Sequence, residues 1–298
     1  MENIQPLVSI GLPAYNRPES LKVVLESLLN QTYKNIEIIV SDNGSENPEV
    51  EKLVNEFVQS DKQERIRYFR QSENKGPAFN FQFVLDQARG KYFLWNADDD
   101  IRSNDFIEVN TKFLESNPDF PASTSPNALV QNFGEENKQF VTFSITGNRY
   151  ERYKHFFQKA LSTHGIFYSQ YRTDIIKQCP YIGKYFIAAD WAIVLYILYH
   201  GPIARLDKGY ILNLRGGFSE STSHFKNFRE SVIDDLNPMY RFYSKTKDLY
   251  KPLTYLQRAH IFYLIMSFNS IYVQYLYHNS RQYLIQSLGK LNRKLFKK

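Results

Sequence analysis

The chain has 298 residues, enough for one large α/β domain with or without a smaller helical extension, and its 43% hydrophobic and 23% charged content excludes a disordered chain. An aromatic fraction of 16%, from 22 Tyr, 23 Phe and 2 Trp, exceeds ordinary usage and suits core packing, sugar-lining surfaces and interfacial positions. A net charge of +6 fits an anionic partner without choosing among nucleic acid, nucleotide phosphates and acidic lipid, and the single Cys179 excludes an internal disulfide and a cysteine metal site.

Met1 to Pro6 has neither the basic start nor the apolar stretch of a signal peptide. No window reaches the roughly 18 apolar residues of a membrane-spanning helix, so a cytoplasmic location is expected. Leu7 to Leu12 reads as a buried first strand closed by Pro13, and Pro18 opens a helix with Leu21, Leu25, Leu28 and Leu29 at helical spacing. Ile36 to Val40 is a second strand, ending in the dense turn signal Ser41-Asp42-Asn43-Gly44-Ser45. The alternation continues with a helix over Pro48–Ser60, a strand over Ile66–Phe69, a helix over Pro77–Arg89, a strand over Lys91–Trp95 and a helix over Asn104–Asn117.

Such alternation implies a mainly parallel sheet with helices on both faces, and sheets of that kind bind ligands beyond the carboxyl ends of their strands. Three polar clusters fall at those ends: Tyr15-Asn16-Arg17, Asp42-Asn43 and Asp98 to Asp100. Beyond residue 117 the pattern is less regular. Strand-like pieces occur over Ala128–Asn132 and Phe140–Ile145, an apolar helix over Asp190–His200 is stopped by Gly201-Pro202, and Ile203–Leu214 reads as two short strands. From about Phe225 the chain is helical, aromatic and basic, so a domain over 1–224 and a helical extension over 225–298 are expected.

Asp98-Asp99-Asp100 is the sharpest chemical feature, because three consecutive carboxylates after a buried strand repel one another unless a cation or hydrogen-bond donors compensate. Magnesium takes one or two protein carboxylates together with phosphate oxygens, which fits a metal–diphosphate complex there; a solvated acidic turn preceding a helix is the other reading.

The blocks Val8-Ser9-Ile10-Gly11-Leu12-Pro13-Ala14-Tyr15-Asn16-Arg17, Ile39-Val40-Ser41-Asp42-Asn43-Gly44-Ser45, Asn74-Lys75-Gly76 and Tyr92-Phe93-Leu94-Trp95 leading into Asp98-Asp99-Asp100 resemble, in order and spacing, the nucleotide-binding half of family 2 glycosyltransferases. The likeness covers roughly residues 7 to 115 well and 160 to 220 loosely. It implies a GT-A (Rossmann-like) fold with a C-terminal helical extension, and an inverting transfer of sugar from a nucleoside-diphosphate sugar, with a lean toward uridine, to a glycan or lipid-linked acceptor. It places Pro13, Tyr15, Asn16 and Arg17 against the nucleotide and Asp42 on the base or ribose. Asn74, Lys75 and Asp99 fall beside the donor, Asp98 near the ribose, and Mg²⁺ or Mn²⁺ at Asp100 with Asp98. From the residues alone, Asp42 is equally an Asx turn with Asn43-Gly44, and Arg17 and Lys75 are cations able to neutralise a diphosphate.

Ile187-Ala188-Ala189-Asp190-Trp191 is similar to the family's catalytic acidic pair before a helix, with Ala189 where the first acid usually stands. The resemblance makes Asp190 the general base; flanking small and aromatic residues are expected to desolvate it in part, and capping of the following helix is the structural alternative. Arg215 and Ser219, in Arg215-Gly216-Gly217-Phe218-Ser219, resemble the loop that closes over the donor. His164 and Trp191 suit the acceptor pocket, and core packing accounts for Trp191 equally well. Leu284, Ile285, Leu288, Leu291 and Leu295 follow helical spacing among basic residues, either as an interfacial helix in peripheral contact with anionic lipid or as a helix packed on the catalytic domain. A sugar nucleotidyltransferase is disfavoured by the missing glycine-rich phosphate loop. A non-catalytic nucleotide-sugar-binding protein stays open, and nucleic acid is not an expected partner because the basic residues are dispersed.

Overall fold

The structure is a computed structural model that describes residues 5–132, 134, 138, 140–141, 143–159, 164–214 and 237–270. The chain divides into two compact units, Met1–Tyr185 with Ala189–Gly217, and Phe186–Ala188 with Phe218–Lys298. The expected boundary at residue 224 lies outside the described residues.

In the larger unit, β1 (Val8–Ala14), β2 (Ile36–Asp42) and β4 (Tyr92–Trp95) are buried along their whole length, as expected of strands covered on both faces, and β3 (Ile66–Arg70) flanks them as a half-exposed edge. The connecting helices α1 (Pro18–Leu29), α2 (Pro48–Ser60) and α3 (Pro77–Asp86) all start on proline, whose missing N–H costs nothing in a first turn. α1 buries Leu21, Val24, Leu25 and Leu28 against Val8, Ile10, Leu12, Ile38 and Val40. Each fully buried aliphatic side chain contributes roughly 1.5–3 kcal/mol, so this layer fixes the strands that carry the site.

The remaining strands are short: β5 (Asp100–Arg102), β6 (Ala122–Thr124), β7 (Asn127–Val130), β8 (Gln170–Arg172), β9 (Ile203–Arg205) and β10 (Ile211–Leu214). The seven-stranded sheet has the order β3-β2-β1-β4-β8-β6-β9. β1 to β4 are parallel, β8 is antiparallel to both of its neighbours, and β6 pairs parallel with β9. Two reversals restore direction, so β6 and β9 end at the same edge as β1 and β4. A second, three-stranded sheet, β5-β10-β7, continues from that edge.

α4 (Phe106–Ser116) packs on β6, and α5 (Arg149–Lys159) on α7 (Ala189–His200), while α6 (Thr173–Ile176) follows β8 directly. The mainly parallel sheet with flanking helices agrees with the expected class. Some local expectations are corrected. α3 ends at Asp86 rather than Arg89, and among its described residues Phe140–Ile145 holds only isolated bridges at Val141 and Ile145. β6, β8 and α5 have no counterpart in the sequence reading: three-residue strands carry no readable period, and α5 buries Arg152 beside Tyr153, Phe156 and Phe157.

In the smaller unit, the helices Pro238–Thr246 and Tyr255–Ser267 are capped by Asn237 and by a Thr254–Gln257 capping box. The expected amphipathic helix around residues 284–295 lies outside the described residues. Among the described residues no helix is long and apolar enough to cross a membrane.

Candidate active site

Polar residues cluster at both edges of the large sheet, but they are satisfied differently. At the amino edge Glu37 accepts from Ser9 at 2.6 Å, from the Arg89 N–H at 2.8 Å and from Arg67 at 3.0 Å, a paired and closed network. At the carboxyl edge the loops after β1, β2, β3 and β4 meet, and the three acids of the loop after β4 outnumber the two arginines, Arg17 and Arg102, that act on them.

Ala14, Asp42 and Arg70 lie in register at the ends of β1, β2 and β3, and the chain turns sharply after each. Asn16 sits in the left-handed region at φ 57°, where Asn is tolerated, and its side-chain oxygen accepts from the N–H groups of Glu46 at 2.8 Å and Asn47 at 3.0 Å. Its own N–H donates to Ser45 Oγ at 2.9 Å, so one residue joins the loops after β1 and β2. Asp42 is fully buried; it accepts from the Ser45 N–H at 2.8 Å and from the Tyr68 hydroxyl at 3.2 Å, with Arg70 Nε 3.6 Å away. Burial and the Asp42 carboxylate together push the Tyr68 hydroxyl upward.

Asn43 then fastens the loop before α3. Its amide donates to Asn74 Oδ1 at 2.9 Å, and its oxygen accepts from the Lys75 N–H at 3.1 Å. Gly44 makes this approach possible: at φ 69° it lies so close to the loop that a Cβ would stand 2.5 Å from the Glu73 carbonyl carbon. The Lys75 ammonium lies 4.9 Å from the Phe79 ring centre and is exposed to solvent.

The acidic loop closes the site. The Tyr15 N–H donates to Asp98 at 3.1 Å, and Arg17 reaches Asp98 at 3.4 Å and Asp99 at 2.5 Å. Asp98 is nonetheless pushed up to about 6, because burial, aided by Asp99, outweighs the help from Arg17 and Tyr15. Asp100 rises to about 7, chiefly through burial and then Asp99, against hydrogen bonding from Asn213 and the charge of Arg102. Asn213 is held in turn by Asn127 at 3.2 Å. Arg102 is itself buried, donating to Asn96 at 2.7 Å and to the carbonyls of Trp95 at 2.6 Å and Tyr168 at 3.1 Å.

Among the described residues no group of three or more His, Cys, Asp or Glu side chains is arranged to hold a metal. A cation taking only one or two carboxylates and completing its shell from a diphosphate does fit. Two buried acids short of positive charge are what it would relieve, and both are acceptor-only when ionised.

Tyr168 links this loop to α7. Its hydroxyl is raised well above the usual range by burial and then by the charges of Asp100, Asp99 and Asp190, so carboxylates from two distant stretches of chain act on one side chain. Asp190 lies in the first turn of α7 and is exposed, which corrects the expectation that its neighbours desolvate it; it stands inside the helix rather than at its cap. Trp191 packs edge-on against Phe156 of α5 with ring centres 5.8 Å apart. His164 opens the short turn His164–Ile166, and Arg215 and Ser219 lie outside the described residues.

The structure therefore brings Tyr15, Arg17, Asp98 and Asp99 into direct contact. Asn16 joins Asp42 through Ser45, and Asn74 and Lys75 attach through Asn43, while Pro13 is buried inside β1. Sequence reasoning missed Asn43 as a latch and Tyr168, Asn213 and Arg102 as partners of the acids. The Asp-Asn-Gly turn signalled the first; nothing local signalled the others, which reach the acids only through tertiary pairing.

A mainly parallel sheet with polar loops gathered at its carboxyl edge, an acidic loop among them, has the layout of α/β sheets that bind a ligand beyond their strand ends. The chain belongs to glycosyl transferase family 2, whose family model matches residues 9–179. An uncharacterised glycosyltransferase of Methanocaldococcus jannaschii is 29% identical over 188 residues, 63% of either chain. The GalNAc(5)-diNAcBac-PP-undecaprenol beta-1,3-glucosyltransferase of Campylobacter jejuni is 28% identical over 173 residues, 58% of this chain and 53% of that one. A Haemophilus influenzae glycosyltransferase is 37% identical over 112 residues; the match covers 38% of this chain and 44% of the relative. These matches span less than two thirds of each relative's length. Among solved structures, the mannosyltransferase PcManGT of Pyrobaculum calidifontis, in complex with GDP-Man and Mn²⁺, superposes with a TM-score of 0.59 at 13% identity, covering 98% of this chain and 81% of that one. Residues 1–349 of Staphylococcus aureus TarS with UDP give 0.56 at 16% identity, covering 90% and 91%. These likenesses establish the GT-A fold.

Proposed function

We propose that the protein is an inverting, metal-assisted glycosyltransferase that moves a sugar from a nucleoside-diphosphate sugar, with uridine as the favoured base, to a hydroxyl of a glycan or lipid-linked acceptor. The observation that carries this reading is the acidic loop at the carboxyl edge, where the Tyr15 N–H and Arg17 hold Asp98 and Asp99 while Asp98 and Asp100 stay buried and short of positive charge; the charge of Asp190, felt with theirs at Tyr168, supports it. The UDP and UDP-GlcNAc bound by TarS support the uridine lean, and the GDP-Man and Mn²⁺ of the mannosyltransferase support a divalent cation.

In this reading the nucleotide lies along Pro13 to Arg17 and Asp42, with Asn74 and Lys75 beside it and Arg215 and Ser219 supplied by the following loop. Asp42 has its carboxylate occupied by Ser45 and Tyr68, so it shapes the base pocket and shares an oxygen with the ligand. Asp100, with Asp98, holds Mg²⁺ or Mn²⁺, whose chemistry is to neutralise the departing diphosphate. Arg17, bound to Asp98 and Asp99, adds a cation beside the same phosphates.

Asp190 accepts the proton of the acceptor hydroxyl as that oxygen attacks the anomeric carbon. The new carbon–oxygen bond forms opposite the bond that breaks to the diphosphate, so the configuration inverts. The exposed carboxylate is open to an incoming acceptor. His164 and Trp191 flank that approach. Peripheral contact with an anionic membrane is assigned to the basic segment around residues 284–298 and is supported by exposed Tyr255, Leu256 and Tyr263 on the preceding helix Tyr255–Ser267; vesicle cosedimentation tests it directly.

The test is a thermal-shift screen of nucleoside diphosphates and their sugars with Mg²⁺ or Mn²⁺, followed by transfer assays and assignment of the product anomer by NMR. One nucleoside diphosphate is expected to raise the melting temperature only with metal, and the product anomer to be opposite to the donor's. A retained anomer, or stabilisation that ignores metal, contradicts the reading.

A further inference from the structure

A second polar cluster lies on the same carboxyl edge, away from the acidic loop. Thr124 and Arg205 are register partners at the C-terminal ends of the adjacent parallel strands β6 and β9, so their side chains leave the sheet on one face. Ser123 takes the opposite face, donating to Asn110 of α4 at 2.8 Å. The Arg205 guanidinium lies 5.1 Å from the centre of the Phe143 ring, whose other neighbour is His155 of α5 at 5.6 Å. The backbone beneath is fixed, because the Arg205 N–H donates to Ser144 Oγ at 2.8 Å and Ile145 and Ile203 exchange both hydrogen bonds at 2.9 Å.

Arg205 is only 6% exposed, yet among the described residues Nε, Nη1 and Nη2 all lack a hydrogen-bond partner, and so does Thr124 Oγ1. Other well-buried arginines are better satisfied: Arg102 donates to Asn96 and to two carbonyls and leaves one nitrogen, Nη1, without a partner among the described residues, and Arg152 donates to the carbonyls of Leu198 and Gly147. A ring face attracts the cation but accepts none of its in-plane N–H groups. Burial accordingly lowers the Arg205 guanidinium to about 10, and no carboxylate opposes that shift. A buried charge left without acceptors is costly, and a planar fork of donors on the same sheet face as an unpaired hydroxyl suits a tetrahedral oxyanion, which such a fork binds through two parallel hydrogen bonds.

We propose that Arg205 and Thr124 form an oxyanion pocket that takes a phosphate group of the acceptor. β1, β2 and β4 give their carboxyl ends to the donor, whereas β9 stands three strands beyond β4, about 14 Å away at ~4.8 Å per strand. A phosphate seated there lies along the same edge as the acidic loop and outside the donor's footprint. The assignment to the acceptor rests on the transfer reaction proposed above; the anion pocket itself does not.

The experiment compares the wild type with R205M, R205K and T124V. Inorganic phosphate is titrated against chloride at fixed ionic strength while the melting temperature is followed, and acceptor and donor KM are then measured separately. The pocket predicts a saturable phosphate shift in the wild type that is smaller in R205K and T124V and loses its Arg205-dependent part in R205M. It also predicts an acceptor KM raised about tenfold or more in R205M with donor KM unchanged. Equal phosphate shifts in all four proteins overturn the pocket and leave Arg205 hydrated by water alone. An Arg205-dependent shift with unchanged acceptor KM overturns the acceptor assignment and leaves a site for free phosphate. Should R205M fail to fold, R205K and T124V carry the same comparison. Failure of the donor reading appears elsewhere, as absent nucleoside-diphosphate binding, and leaves the phosphate titration untouched.

Discussion

The two ends of the sheet's carboxyl edge are built from opposite charge imbalances. At the β1–β4 end, Asp98 and Asp100 are buried among too few cations and pushed up to about 6 and about 7. At the β6–β9 end, Arg205 is buried with no acceptor among the described residues. The amino edge, where Glu37 satisfies Ser9, Arg67 and the Arg89 N–H, shows that the same fold pairs buried charge fully where no ligand is needed. Buried charge left uncompensated marks the places where a partner of opposite sign completes the structure.

The largest effect that sharpens this contrast is expected at Asp190. Replacing it with Asn lowers transfer about 10²- to 10⁴-fold while donor affinity stays within about twofold, read as kcat and donor Kd. A matched loss of donor binding would break the division between the donor loops and the helix-borne base.

Asp100→Asn comes next and acts in two directions. Because the folded-state values of Asp98 and Asp100 lie above the unfolded value of about 3.9, the folded apo protein binds more protons than the unfolded chain between about pH 4 and 7, and its stability falls as pH rises through that window. Asp100→Asn flattens that decline, on the order of 2–4 kcal/mol at pH 7.5, seen in urea melts at several pH values. A wild-type profile that stays level from pH 5 to 7.5 would contradict the charge imbalance.

Gly44→Ala probes the scaffold beneath the donor end. A side chain at φ 69° beside Glu73 strains the turn that Asn43 latches, and a loss of about 1–3 kcal/mol is expected in denaturant melts. The smallest effect is at Cys179, where burial pushes the thiol up to about 12; it should resist a disulfide reagent at pH 8 in the native state and react on unfolding.

The same two ends differ in how far they could be read from sequence. β1, β2 and β4 are buried on both faces and therefore written as apolar runs, and their turns carry Asn16, Asp42 and Gly44, whose backbone chemistry is local. The acidic triplet stands out for the same reason. β6 and β8 are three residues each, stabilised by register with neighbours far away in the chain, so no period announces them, whereas β9, equally short, falls in the stretch read as two short strands. Tyr168 and Arg205 matter through what surrounds them. Asp190 was found by its position before an apolar helix, but its exposure depends on tertiary packing and ran against the expected desolvation.

The central claim, that acids from separate stretches of chain divide donor binding from proton transfer at one edge, is tested most directly by calorimetric titration of UDP with Mn²⁺ into the wild type, Asp100→Asn and Asp190→Asn. Metal-dependent binding retained in the wild type and Asp190→Asn but lost in Asp100→Asn is the predicted result. Equal affinity in all three proteins, or loss in both variants alike, contradicts it.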